Sequence, residues 1–318
     1  MAESSLRVMM VHAHPDDEAI STGGTLARYS ALGVRTILVT CTRGEEGEIV
    51  VPELKAEIAD SAPTVEEGQE RLAVVRAREL AEAVAALGIH QFYSLDYRDS
   101  GMAGTTANAN PRAFTNIPIP ESVAKLVELV RRERPHVLVS YNAYGSYGHP
   151  DHIMAYRITA LAFDAAANTD VYPQQSDETP AWQPLKLYET ASSRDHMIAM
   201  AAIAQERGLE MTWGAQAAKQ AEAVLRGEPI DPENPQRPPW GLPEDAISTI
   251  IDIREYMPQK LASLLAHRTQ AVSSDRFMGA YPPDFIQQAF GTEYYVLARS
   301  RVATTRPEND LFAGITPE

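Results

Sequence analysis

Short apolar runs alternate with longer amphipathic stretches through the first half of the chain, and polar residues gather where the apolar runs end. Residues 7–12 (RVMMVH) and 35–42 (RTILVTCT) are apolar and β-branched with little alternation, which predicts strands buried on both faces. Residues 91–95 and 136–141 predict two more strands. Helical spacing runs through 21–31, 66–87, 120–134 and 151–167, with Gly33 and Gly88 placed as stops for the first two. The segments 43–48 and 100–116 predict loops. Strands alternating with helices imply right-handed crossovers and a mostly parallel sheet. The expectation for residues 1–170 is therefore an α/β, Rossmann-like fold, its sheet flanked by helices. Ligands in such folds bind beyond the carboxyl ends of the strands. His14, the acidic stretch 45–48, residues 96–100 and residues 142–152 all stand at such ends.

Beyond residue 170 the pattern loosens. Strands are predicted at 185–190, 247–253 and 292–302, and helices at 193–206, 215–226 and 258–268. The segment 227–243 carries six prolines and predicts a loop or a small lid. A smaller mixed α/β region, 171–303, is expected to complete one compact domain and cover the substrate side. Residues 304–318 are expected to be a frayed tail.

Composition narrows the function classes. At 318 residues, 44% hydrophobic and 22% charged, the chain can bury a sizeable core. No apolar run approaches the roughly 20 residues that span a bilayer, and the N-terminus lacks the pattern of a signal peptide. A cytoplasmic protein without a membrane partner is the expectation. A net charge of −15 argues against nucleic acid, since phosphate binding needs a basic surface. The single cysteine, Cys41, lies in an apolar run and is expected to be a buried, inert thiol. A homo-oligomer stays open.

The chemistry concentrates in two segments of similar form. His14-Pro15-Asp16-Asp17-Glu18 follows the first predicted strand, and Tyr147-Gly148-His149-Pro150-Asp151-His152 follows the fourth. His14 and Asp17 are three apart, so one helical turn can bring both to one point and leave Asp16 pointing elsewhere. A catalytic zinc takes three ligands from His, Asp and Glu and keeps a position open. His14, Asp17 and His152 fit that rule, and Asp16 and His149 could then handle protons. Such a His2Asp set also accepts iron(II), cobalt or manganese. Three acids in a row repel unless a cation relieves them. Glu18 is expected to cap the following helix or hold a ligand histidine. His12 shares the strand face of His14 but lies deeper, either brushing the metal shell or belonging to the core. His90 and His136 begin strands, at the wrong end of the sheet, and read as structural. His196 has no assignment.

HPDDE followed by a helix, then TRGEEGE, VRARELAEAVAALG, YRDSGM and YGHPDH, in that order, resembles the N-acetylglucosaminyl deacetylase family of PIG-L/LmbE-like zinc hydrolases. The likeness covers about residues 7–168 and resumes at 260–270 (KLASLLAHRTQ) and 293–297 (EYYVL). Within the family it is nearest the mycothiol-pathway branch of deacetylase and conjugate amidase. The resemblance implies zinc on His14, Asp17 and His152, and Asp16 as the general base. It implies that Tyr147 and His149 stabilise the oxyanion and assist the leaving amine, and that Asp151 supports its neighbouring histidine. Arg76 is implied as a substrate contact with Glu79 as its partner. Glu48, Asp96 and Arg98 are implied at the sugar-binding rim, with Asp99 able to serve in place of Asp96. Removal of an acetyl group from an N-acetylglucosaminyl substrate is expected. Cleavage of mycothiol-type S-conjugates and a non-catalytic sugar-binding role are the alternatives. Ser21, where the amidase branch has lysine, inclines the reading to deacetylation.

Overall fold

The apolar run at the start of the chain becomes the central strand of the sheet. The structure, a computed structural model, describes residues 5–173, 179–231, 238–270 and 281–316. Strand β1 (Arg7–His12) pairs in parallel with β2 (Arg35–Thr42) on one side and β4 (Val137–Ser140) on the other. Strands β3 (Gln91–Tyr97), β5 (Lys186–Ala191), β6 (Thr249–Asp252) and β7 (Thr292–Ser300) complete an order of β3-β2-β1-β4-β5-β7-β6. The first five strands are parallel, while β7 runs antiparallel to both β5 and β6. The sheet therefore draws strands from both halves of the chain, with the antiparallel pair at the C-terminal edge.

Alternation along β1 explains why positions 8–11 are all apolar. Val8 and Met10 face one core, with Leu26 of α2 (Gly23–Ala31) and Leu80 of α3 (Val65–Leu87). Met9 and Val11 face the other, with Leu126 of α4 (Ile119–Glu133) and Ile158 of α5 (Pro150–Ala165). Helix α3 starts at Thr64, whose side chain accepts the Glu67 N–H at 3.2 Å, and stops at Gly88 with φ 68°. Both ends thus follow ordinary capping chemistry. Strand order reverses at β1, with β2 to one side and β4 to the other. This opens a crevice at their carboxyl ends.

The second half adds α6 (Arg194–Glu206), α7 (Thr212–Leu225), α8 (Met257–Ala266) and α9 (Pro283–Phe290). A buried carboxylate ties it to the first half. Glu293 of β7 accepts the N–H groups of Gly24 and Thr25 at 2.9 and 2.8 Å, and Lys260 of α8 donates to it at 2.5 Å. The amino end of α2 is therefore pinned by residues more than two hundred positions later.

Several elements depart from expectation. The first helix forms at the motif itself, as α1 (Asp17–Ser21), and breaks at Thr22 before α2. Residues 52–60 wind into a short helical segment, and α9 had no clear periodicity to announce it. Within the proline-rich 227–243 segment, residues 232–237 lie outside the described residues, as do 317–318 of the tail. The expected frayed tail is a correction. Leu311 and Phe312 are buried in the main core, and Glu308 receives Lys186 Nζ at 2.8 Å and the Tyr188 hydroxyl at 2.5 Å. Its backbone also pairs with Ser248 and Ile250 beside β6. Polar composition hid this, because one charge matched to a buried lysine and a two-residue apolar pair hold the tail, too short a run to stand out. Among the described residues no helix is long and apolar enough to cross a membrane.

Removing one partner of a fully buried ion pair typically costs about 3–5 kcal/mol. Glu308→Ala should therefore lower the unfolding free energy by about 3 kcal/mol in urea titration. A change within about 0.5 kcal/mol, as for an exposed tail, would show that the clasp does not form.

Candidate metal centre and active site

The crevice at the ends of β1 and β4 holds the two His-Pro-Asp segments face to face. From β1 come His14, Pro15 and Asp16, and Asp17 opens α1. From β4 the chain turns through 145–148 into α5, whose N-cap is His149. Gly145 has φ 67°, and a Cβ there would lie 2.8 Å from His152 Cβ and from the backbone N of Ile153. Only glycine lets this turn pass so close behind His152.

His14, His149 and His152 are buried, and their ligand atoms lie within 4.8 Å of one another. A second such group is His14, Asp99, His149 and Asp151. Asp17 joins the predicted triad: its Oδ2 stands 3.3 Å from His14 Nδ1 and its Oδ1 3.4 Å from His152 Nε2. Among the described residues neither ring nitrogen of His152 has a hydrogen-bond partner, although the ring is buried and stacks on Tyr141 at 4.1 Å. Imidazole nitrogens and carboxylate oxygens that converge at these distances suit a divalent cation, so the donor set fits a metal.

Adjacent carboxylates face different partners. Asp17 turns to the two histidines, which hold its pKa well below the usual value although burial opposes this. Asp16 turns to Arg76, whose Nη2 lies 3.2 Å from Asp16 Oδ2. Burial raises the Asp16 carboxyl to about 6, with Arg76 opposing the rise and Asp17 adding to it. Arg76 is itself buried and also donates to the carbonyls of Pro15 and Gly44. Gly44, at φ 70°, leaves room for it, since a Cβ there would meet the guanidinium carbon at 2.5 Å.

His149 accepts the Asp151 N–H at Nδ1 (3.2 Å), and its pKa is lowered to about 3 by burial and then by His14 and His152. Tyr147 is half exposed, edge-on to His152 at 5.0 Å and to His149 at 6.0 Å. The Asp151 carboxylate does not reach a histidine of its own segment. It lies 3.2 Å from His14 Nε2 and accepts from Ser100. A cavity of about 780 Å³ opens on this cluster, lined by His14, Asp16, Asp17, Arg76, Tyr147, His149 and His152, with Glu48 and Ser21 toward its rim.

Some expected residues fall elsewhere. Asp96 is exposed at φ 56°, bonds Ser94, and does not line the cavity. Asp99 does, buried 3.7 Å from His14 Nε2. Arg98 sits behind the rim, paired with Glu46 at 2.8 Å. Thr40 pairs with Ser94 and Thr42 with Tyr97, so Leu95 and Asp96 bulge against a single residue of β2 and shift the register in a way no motif spacing shows. Glu79 is not the partner of Arg76; it accepts from Thr269 N–H and Oγ1 at 2.9 and 2.6 Å. Glu18 holds His267 at 2.6 Å, a histidine outside the cluster. His12 is core: it bonds Thr22 and Tyr141, and burial lowers its pKa. His136 accepts from Arg7 N, and His90 from Thr36. His196 lines the cavity and bonds the Ala289 carbonyl at 3.0 Å. Cys41 is fully buried with its thiol pKa pushed up. His267 and Thr269 were missed because sequence separation hides them; KLASLLAHRTQ was their only trace.

A mostly parallel α/β sheet with buried histidines and carboxylates at its switch point defines a class of α/β protein with a site suited to a divalent metal. The comparisons make it particular. Residues 9–163 match the PIG-L family, described as GlcNAc-PI de-N-acetylase. The 1D-myo-inositol 2-acetamido-2-deoxy-alpha-D-glucopyranoside deacetylase of Thermomonospora curvata is 39% identical, over 99% of both chains. That of Acidothermus cellulolyticus is 41% identical over 97% of this chain and 94% of its own. The N,N'-diacetylchitobiose deacetylase of Pyrococcus horikoshii superposes with a TM-score of 0.57 at 19% identity, over 98% of this chain and 86% of that one, and shares the fold. The chain belongs to the PIG-L family, and it is an enzyme that hydrolyses amide bonds.

Gly145→Ala should push His152 out of place and weaken divalent-metal binding at least tenfold, at about the scale seen when a ligand's support is removed. Competition with a chromogenic chelator measures this. An unchanged affinity would show that the 145–148 turn does not position His152.

Proposed function

We propose that the protein removes the acetyl group from an N-acetylglucosaminyl conjugate, with zinc held by His14, Asp17 and His152 and Asp16 as general base. The observation that carries this reading is the division of Asp16 from Asp17: one carboxylate serves the two histidines, the other faces the cavity beside Arg76. The two relatives named above, similar from end to end, are deacetylases of an inositol-linked acetamidoglucose, and that is the substrate we assign.

Tautomers support this ligand set over the alternatives. His149 accepts a backbone N–H at Nδ1, so its neutral ring carries the proton on Nε2 and has no lone pair left for a metal there. His14 can donate Nε2–H to Asp151 and keep Nδ1 free beside Asp17, which is the usual support for a ligating histidine.

When bound, zinc would polarise the amide carbonyl and lower the pKa of water from 15.7 to about 7. Asp16, raised to about 6, is poised to take a proton from the attacking water near neutral pH and to return it to the departing amine. Arg76 keeps that carboxylate turned to the cavity. His149, lowered to about 3, has no spare proton at neutral pH and acts as an Nε2–H donor toward the developing oxyanion. Tyr147 supplies a second donor from the glycine-flanked turn. Such donors contribute about 3 kcal/mol each. Glu48 lines the cavity, and we assign it to the sugar.

Zinc-loaded protein should release primary amine from N-acetylglucosaminyl-inositol faster than from a mycothiol-type S-conjugate. Asp16→Ala should slow release by roughly 10²–10⁴-fold, the usual worth of general acid–base catalysis. Chelation should abolish release and added zinc restore it. Faster cleavage of the conjugate would make the protein the amidase of this family. Asp16→Ala as fast as wild type would contradict the mechanism.

A further inference from the structure

Asp16 has φ 136° and ψ −28°, a backbone that residues other than glycine rarely adopt. Such conformations cost about 1–3 kcal/mol and persist only where surrounding contacts impose them. Arg76 supplies one constraint, on the Asp16 carboxylate and the Pro15 carbonyl. The other is Glu18, whose Oε2 accepts the Asp16 N–H at 3.0 Å. Glu18 is fully buried, and its second oxygen accepts from His267 Nε2 at 2.6 Å. His267 is also fully buried, directly after α8, where its own N–H bonds the Leu264 carbonyl and its carbonyl takes the Gln270 N–H. Among the described residues its Nδ1 has no partner, and the one polar contact of the ring aims at Glu18.

We propose that His267, acting through Glu18, is a positioning residue that sets the strained backbone of Asp16 and so points its carboxylate into the cavity. The proposal rests on reading Asp16 as the base. His267 is not a metal ligand: its Nε2 is spent on Glu18, and it stands outside both groups of convergent donors. A histidine that only filled space would affect folding, with kcat, KM and metal binding moving together. A positioning histidine affects kcat alone, because Asp16 neither binds the metal nor holds the sugar.

The test uses full-length, zinc-loaded protein, measuring kcat, KM, zinc per chain and melting temperature for His267→Leu, His267→Gln, Glu18→Gln and the H267L/E18Q double variant. Glutamine at 267 keeps an N–H for Glu18, whereas leucine does not. Glutamine at 18 keeps the shape but turns an amide against one of two N–H donors. His267→Leu and Glu18→Gln should each lower kcat by about 10- to 100-fold, the scale of a small misplacement of a reacting group. KM should stay within about threefold and zinc per chain should not change, because the binding contacts are intact. His267→Gln should recover to within about fivefold of wild type, and the double variant should be no slower than the slower single one, since both break one linkage.

Wild-type kcat in His267→Leu, equal losses in the glutamine and leucine variants, or additive losses in the double variant would overturn the proposal. If His267→Leu does not fold, the other two single variants decide: slow Glu18→Gln with near-normal His267→Gln supports the relay, and equal rates overturn it. A wild type inert on every acylated amino sugar would bring down the reading of Asp16 and the relay together. An active wild type with indifferent variants would bring down the relay alone.

Discussion

Two adjacent carboxylates cannot share one environment in a buried crevice, and the architecture around the site follows from keeping them apart. Like charges at that spacing repel strongly where water is excluded. The backbone separates them by placing Asp16 at positive φ, so that Asp17 starts a helix toward the histidines while Asp16 turns back toward Arg76. The two then diverge in acidity: Asp17 is held well below the usual carboxylate range and Asp16 is lifted to about 6. One is suited to stay charged, the other to exchange a proton near neutral pH.

Holding that separation takes residues from the whole chain. Arg76 arrives on α3, and glycine at 44 makes room for its guanidinium. The stretch after α8 supplies three supports in sequence: His267 to Glu18, Thr269 to Glu79, and the Thr269 carbonyl to the Val50 N–H beside the rim loop. Glu293 and Lys260 pin the start of α2, just beyond the motif. The C-terminal half thus does more than cover the substrate side. It fixes the geometry of a site whose reactive groups all come from the first half.

What could be read from sequence reflects how local each cause is. The five parallel strands and their helices were legible because buried strands need continuous apolar runs and helices need caps, both visible in a short window. The pairing of His14 with Asp17 was legible because spacing within a turn dictates it, and the approach of His152 because its segment repeats the same form at a second strand end. Asp96 and Asp99 could not be told apart, since the bulge at Leu95 and Asp96 leaves no local signature. The partners of Glu18, Glu79 and Glu308 lie 249, 190 and 122 positions away, beyond any periodicity. The tail was misjudged for the same reason: a buried charge and the short apolar pair Leu311 and Phe312 hold it, and the polar composition around them conceals such an anchor.

The central claim is that the cation lies between His14, Asp17 and His152 while Asp16 and His149 stay free for the reaction. Among the described residues the donors offer two competing positions, His14–His149–His152 and His14–Asp99–His149–Asp151, and both use His149. Anomalous diffraction at the zinc edge from zinc-loaded crystals separates them from the assigned triad directly. The account predicts one dominant peak within bonding distance of His14, Asp17 and His152, with Asp16 and His149 outside its ligand shell. A peak among Asp99, His149 and Asp151, or direct ligation by Asp16, would contradict it.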